Sequence, residues 1–169
     1  WVCASTVNFQ LGQEVTDTSN FRINNLRVGY LSDSAVLCQT GRFTGYGGSC
    51  NAAFAFEINI VINQNLMGDF FIDTTSTASV PPSKWDLYQA LIHEFGHAHS
   101  VAHVNDIHSI MYWGSSKLGI PAANRLIRLN LDQSSINAGQ YVIGRSLTID
   151  TVNCGTFLMS SGSTNCSSI

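Results

Sequence analysis

Three histidines and one glutamate stand close together near the middle of the chain, with the spacing His-Glu-x-x-His-x-x-x-x-x-His at positions 93 to 103. Residues four apart lie on one face of an α-helix, so His93 and His97 can present two imidazoles to one metal ion. Glu94 projects beside that pair, where its carboxylate can accept a proton from water without ligating the metal. The spacing predicts a hydrolytic metal site with a general base. The alternative is a set of surface histidines that bind nothing.

A helix must position the first two histidines, and the preceding sequence supplies its signals. Ser83, with Asp86 three residues later, forms a capping-box-like start. Three apolar residues at helical spacing predict a buried stripe: Leu87, Leu91 and Phe95. We expect the helix to end within residues 98–100, because His103 can reach the same metal only if the chain turns sharply.

Extended segments before this helix predict strands at residues 7–11, 25–31, 35–46 and 57–63. The last of them alternates isoleucines with other residues, which is typical of a strand with one apolar face. A second, short helix is predicted at residues 131–138, capped by Asn130 and stopped by Gly139. These elements together predict an α+β fold.

The composition restricts the class of protein. The chain has 169 residues, a net charge of -3 and only 11% charged residues, which suits one domain with a sizeable core. This charge provides no electrostatic basis for binding nucleic acid or an anionic membrane. No apolar run approaches the roughly 18 residues that span a bilayer, and the start lacks the layout of a signal peptide. We therefore expect a soluble, already processed protein that is a monomer.

Five cysteines occur, and none forms a Cys-x-x-Cys pair. We predict two local disulfides, Cys38–Cys50 and Cys154–Cys166, each of which closes a loop of about a dozen residues. Disulfides indicate an oxidising compartment, so we expect a secreted, extracellular protein. Cys3 is left over, and could be free or paired with another chain or a further segment. The alternative is that all five are reduced, buried thiols.

These residues resemble the metzincin zinc metallopeptidases, and most closely the secreted bacterial members of the matrixin, or matrix-metalloprotease-type, branch. The family pattern is HExxHxxGxxH followed by a methionine turn. Four residues match it at their own spacing: His93, Glu94, His97 and His103. Met111 follows the third histidine by eight residues, as matrixins space it. The segments 85–92 and 131–137 are similar as well, so the resemblance covers about residues 1–141.

By this resemblance the fold is an α+β zincin catalytic domain. It has a twisted mixed sheet, a long active-site helix, a third-ligand turn, a methionine turn and a C-terminal helix. Residues 1–141 would form this domain, with its N-terminal strand and part of its first helix missing. Residues 142–169 would form a disulfide-stapled extension packed on it. Ser100 replaces the family glycine at the turn, where a left-handed serine costs roughly 1 kcal/mol.

The resemblance implies a zinc-dependent endopeptidase that acts on proteins or peptides. One zinc ion would be bound by His93, His97 and His103, and Glu94 would be the general base for a zinc-activated water. Met111 would lie beneath the metal as an apolar floor. The resemblance also implies substrate-binding residues on an edge strand and around a pocket: Leu37, Gln39, Gly41, Gln89, Tyr112, Trp113 and Gly114.

Alternatives to this interpretation stay open. The chain could be a zinc-bearing binding or adhesion module that kept the fold and lost activity, although an intact Glu94 argues against it. A zinc peptidase whose third ligand is a distant glutamate is disfavoured, because no glutamate follows His97. Asp69 and Asp73 could serve a structural calcium ion as in relatives, but no loop signature supports this.

Overall fold

A computed structural model of the chain describes residues 14, 24–47, 52–73, 78–114, 117, 119–129 and 131–150. Its elements, in chain order, are β1 (Asn25–Gly29), β2 (Cys38–Gly47), β3 (Ala52–Asn63), a 3₁₀ helix (Gln64–Asp69), β4 (Phe70–Phe71), β5 (Trp85–Asp86), α1 (Leu87–Ala98), α2 (Ala122–Leu129) and α3 (Gln133–Asp150). The fold is mixed α+β, with a small sheet and few helices.

β1, β2 and β3 form one mixed sheet in the order β1-β3-β2. β3 runs parallel to β1 and antiparallel to β2. Ile60, Val61 and Ile62 are all buried, so the end of the central strand is covered on both faces. Among the described residues β2 pairs only with β3, which makes it an edge strand. Three of the four predicted strands are confirmed with shifted ends, and the prediction at 7–11 lies outside the described residues.

β2 and β3 form a long hairpin, and this geometry bears on the predicted Cys38–Cys50 disulfide. Cys38 lies at the first position of β2, opposite Ile62, and is a free, buried thiol. Gly47, at the last position of β2, is roughly 30 Å away at strand spacing, and three residues beyond it span at most about 11 Å. The predicted pairing is therefore wrong, although Cys50 itself lies outside the described residues, as do Cys3, Cys154 and Cys166.

α1 begins later than predicted. Asp86 is its N-cap, and the Asp86 side chain accepts a hydrogen bond from the backbone N–H of Tyr88 at 3.1 Å. Ser83, the predicted start, instead has a left-handed φ of 68° in a turn, and its N–H donates to the carbonyl of Lys117 at 2.8 Å. A positive φ is incompatible with helical or N-cap backbone, so Asp86 takes that role. The predicted end is confirmed, because α1 ends at Ala98.

α1 packs against the sheet through two of the three residues of the predicted apolar stripe, and all three are half-buried and not fully buried; Phe95 is not part of this contact. Leu87 and Leu91 contact a core cluster made of Cys38, Ile62 and Phe70. This cluster joins the first residue of β2, the end of β3 and β4. The packing brings the edge strand alongside the helix that carries the histidines.

The predicted C-terminal helix is present and begins two residues later than expected, but its predicted end is wrong. α3 begins at Gln133, where the Asp132 carboxylate accepts from the backbone N–H of Ser135 at 2.9 Å; Asn130 lies outside the described residues. The helix continues through Gly139, since one interior glycine costs only about 1 kcal/mol. α3 also crosses the predicted domain boundary at 141/142, and residues 151–169 are not among those described. No helix in the described part of the chain has the length and apolar character to cross a membrane.

Candidate metal centre

Three imidazole nitrogens converge at the C-terminal end of α1. The Nε2 atom of His103 lies 3.1 Å from that of His93 and 3.0 Å from that of His97. All the candidate ligand atoms of this trio lie within 4.8 Å of one another. Tetrahedral zinc with nitrogen ligands at about 2.0–2.1 Å places those nitrogens roughly 3.3 Å apart. The separations therefore fit a single small divalent ion.

The other ring nitrogen of each helical histidine is held by the backbone. Nδ1 of His93 lies 2.7 Å from the carbonyl oxygen of Ile110, and Nδ1 of His97 lies 2.8 Å from that of Val101. A carbonyl only accepts, so both Nδ1 atoms carry the proton and both Nε2 atoms present lone pairs. A neutral His103 has one proton to donate to only one of them. A metal cation can bind the lone pairs of all three rings at once, whereas a hydrogen bond from His103 reaches only one of the two helical Nε2 atoms.

Desolvation favours the unprotonated form of two of these imidazoles, the half-buried His93 and, over a smaller part of its surface, the exposed His103. Desolvation lowers the pKa of His93 to about 4, assisted by the neighbouring His97 and His103 and opposed by the hydrogen bond to Ile110. The pKa of His103 is lowered as well, first by desolvation and then by His97. Neutral imidazole is the form that ligates a metal, so both rings are in the ligand form at neutral pH.

The turn after α1 delivers His103 through a left-handed serine. The N–H of Ser100 donates to the carbonyl of His97 at 2.9 Å, and that of Val101 donates to Gly96 at 3.0 Å. These two bonds define a Schellman motif, in which the residue that usually is glycine adopts a left-handed backbone. Ser100 has a φ of 66°. The turn therefore forms with serine, at a cost of roughly 1 kcal/mol.

The loop that carries His103 is fixed to the segment around Met111. The N–H of Val104 donates to the carbonyl of Met111 at 3.0 Å, and Val104 forms a parallel bridge with Tyr112. Met111 is fully buried in a cluster with Val101 and Ile110. Met111 thus forms part of the apolar packing under this loop, and the Ile110 carbonyl next to it orients His93.

Glu94 is buried beside the trio and bonded to the edge strand. Its residue exposure is 6%, and its Oε2 accepts from the Thr40 hydroxyl at 2.6 Å. Burial raises the pKa of Glu94, and the Thr40 hydrogen bonds and His97 oppose this shift. A carboxylate whose affinity for protons is raised in this way suits a general base.

A cavity of about 290 Å³ opens beside these groups. It is lined by His93, Glu94 and His103 and by five of the predicted substrate-binding residues: Leu37, Gln89, Tyr112, Trp113 and Gly114. A second cavity holds a sixth, Gln39, together with Thr40 and His97. Gly41 lines neither cavity and lies opposite Asn59 in the hairpin.

The structure adds two site residues that the sequence analysis missed, Cys38 and Thr40. Both lie beside Glu94: Thr40 bonds to it, and the buried Cys38 lines both cavities. Desolvation, followed by the charge of Glu94, raises the pKa of Cys38 to about 12, so it is a neutral thiol. Residues two apart on a strand share a face, and this period could have indicated both from the predicted segment 35–46.

The proposed calcium ligands are engaged elsewhere. Asp69 forms an ion pair with Lys117 at 2.7 Å, and Asp73 forms one with Arg125 at 2.6 Å. Each carboxylate is already neutralised by a cation, which disfavours a calcium site at either residue.

Comparison of the chain with protein-family models, with curated proteins and with solved structures found no match. The motif and the geometry of the three histidines and Glu94 are therefore the features of this chain that bear on its function.

Proposed function

We propose that this protein is a zinc-dependent endopeptidase of the metzincin class, similar to the matrixins. The observation that carries the proposal is the convergence of three Nε2 atoms beside a buried carboxylate. Three histidine ligands leave one position of a tetrahedral metal open, which is typical of catalytic rather than structural zinc. The metzincin fold, with its third-ligand and methionine turns, is part of this proposal.

His93, His97 and His103 would hold the zinc ion. Zinc bound there would supply Lewis acidity, which lowers the pKa of water and polarises a peptide carbonyl. The backbone carbonyls of Ile110 and Val101 orient the two helical rings before any metal binds. These backbone contacts favour metal binding, since the two ligands need little rearrangement.

The residues of the chain would handle the proton and the substrate. Glu94 would accept a proton from the attacking water and pass it to the departing amine nitrogen. An extended peptide would pair with the edge strand β2 by strand addition. The side chain that follows the cleaved bond would then enter the 290 Å³ cavity between Gln89 and Trp113.

The alternative is a zinc-bearing binding or adhesion module without catalysis. Glu94 is the residue that separates the two hypotheses. A buried carboxylate costs free energy, and a module that only binds has no need for a general base beside the metal. The same proposal makes proteins or peptides the partners and an extracellular location the setting, because both follow from the family resemblance. The free thiol of Cys38 removes one of the two disulfides that had indicated an oxidising compartment.

The decisive experiment combines a cleavage assay with metal analysis. Wild type and Glu94→Gln are loaded with zinc and incubated with a library of quenched fluorescent peptides. We expect equal zinc content, cleavage by wild type, and a loss of about 10²- to 10⁴-fold in the variant, as for removal of a general base. Cleavage by neither protein would overturn the peptidase proposal in favour of a binding module.

A further inference from the structure

The edge strand sends one side chain onto the general base. The Oγ1 atom of Thr40 lies 2.6 Å from Oε2 of Glu94 and 3.0 Å from the backbone carbonyl of Glu94. Thr40 is 54 positions away in sequence from Glu94, so this contact joins β2 directly to α1. Gln39 and Gly41 on either side are exposed, whereas Thr40 is half-buried against the helix.

The chemistry of the hydroxyl limits what this contact can do. A threonine hydroxyl has one proton, and both neighbouring atoms of Glu94 are acceptors when the carboxylate is ionised. The short distance to Oε2 makes the carboxylate the main acceptor. Oε2 of Glu94 is therefore the oxygen that the Thr40 hydroxyl holds. The bond restricts the rotamer of Glu94 and so limits how the carboxylate can be presented to a water molecule.

We infer that Thr40 is a positioning residue for Glu94. It acts through the carboxylate and not on the substrate, and this inference rests on the proposed peptidase function. Thr40 belongs to β2, the strand on which the peptide is proposed to pair. The same strand therefore positions both the bound peptide and the Glu94 carboxylate. A peptide docked along β2 is thereby aligned with the carboxylate that takes the proton.

Thr40→Val and Thr40→Ser form a matched pair for the test. Valine keeps the shape and removes the hydroxyl, whereas serine keeps the hydroxyl and removes a methyl group. We expect Thr40→Val to lower kcat about 10- to 100-fold, the effect of one hydrogen bond to a charged group, with KM within about twofold. Thr40→Ser should stay within about threefold of wild type, and zinc content should be equal in all three. If Thr40→Val does not fold, Thr40→Ala removes the same hydroxyl.

A second measurement needs neither zinc nor turnover. The ¹³C signal of the Glu94 carboxyl carbon is assigned in the metal-free protein by its disappearance in Glu94→Gln. It should move in Thr40→Val and keep its wild-type position in Thr40→Ser. An unmoved signal in Thr40→Val, or an equal loss of kcat in the valine and serine variants, would overturn the inference.

The two proposals fail in different ways. Cleavage by wild type that is lost in Glu94→Gln but kept in Thr40→Val rejects the role of Thr40 and leaves the peptidase intact. A wild-type protein that holds zinc and cleaves nothing rejects the peptidase, and the inference falls with it.

Discussion

The two ends of α1 are built on opposite principles. At the N-terminal end Asp86 caps the helix and is bound by Arg125, whose side chain is fully buried and also pairs with Asp73. At the C-terminal end three imidazole nitrogens face one another, and the chain leaves through a left-handed serine. The first end satisfies its charges internally, and the second presents lone pairs that suit an external ion. Under the proposed function, the N-terminal end of α1 is the stabilising end and the C-terminal end is the chemical end.

Removal of a histidine ligand should give the largest effect. It should lower zinc affinity and cleavage without changing the ion pairs at the N-terminal end of α1. His97→Ala removes one imidazole, so we expect zinc affinity to fall at least about 100-fold, and peptide cleavage with it. Calorimetric titration with zinc measures the affinity. His103→Ala is the companion variant, and unchanged zinc affinity there would exclude the three-histidine centre.

Arg125→Met should break the stabilising end. The substitution leaves the Asp86 carboxylate buried without its cation, which typically costs 3–5 kcal/mol of unfolding free energy. Zinc stoichiometry in the folded fraction should stay at the wild-type value, since Arg125 contacts no histidine ligand. Urea denaturation measures the loss, and Arg125→Lys, which keeps the charge, is the control. A variant that keeps its stability but loses zinc would contradict the division between the two ends.

Ser100→Gly should raise the unfolding free energy, an effect smaller than that of Arg125→Met and opposite in sign. Glycine adopts a φ of +66° without the Cβ clash, so the native turn should gain roughly 1 kcal/mol, partly offset by the greater freedom of glycine in the unfolded chain. Thermal unfolding of the metal-free protein measures this gain. The expected shift is upward by a few degrees; a downward shift would show that the serine side chain contributes to the turn.

Acid should slightly lower the unfolding free energy through Asp132, the carboxylate at the start of α3. Desolvation raises the pKa of Asp132, but hydrogen bonds from Ser134, Ser109 and Ser135 outweigh it and hold the pKa well below its usual range. A lowered folded-state pKa gives stability that is present above about pH 4 and is lost as the pH falls. Asp132→Asn should change stability at pH 7 by less than about 1 kcal/mol, because asparagine also caps helices.

Urea unfolding of wild type and Asp132→Asn between pH 5 and pH 3 makes this last measurement. The variant should lose less stability than wild type as the pH falls. If the unfolding free energies of the two proteins fell in parallel with pH, protonation of Asp132 would not contribute to the loss of stability.

What the sequence predicted correctly is mostly local. The end of α1 and the closeness of His93, His97 and His103 follow from helical spacing and from the need for a sharp turn, both contained within a dozen residues. Asp86 was underestimated as the cap because Arg125, the residue that fixes it, is 39 positions away. Thr40 was not predicted for the same reason, because its partner Glu94 is 54 positions away. Cys38 and Cys50 are only a dozen residues apart in sequence, which favoured a disulfide. Cys38 lies at the start of the long strand β2, however, so the extended strand carries the chain away from it.

Under the proposed function, the backbone bonds to His93 and His97 would also couple zinc binding to the stability of the folded chain. Their lone pairs are aimed at one point whether or not an ion is present, so a bound zinc ion relieves mutual repulsion in the folded chain and has no equivalent site in the unfolded one. Under the proposed function, each tenfold rise in free zinc above the dissociation constant adds about 1.4 kcal/mol to the unfolding free energy. The folded fraction would then report on the zinc supply of the compartment, and a zinc-poor environment would leave the protein most open to degradation.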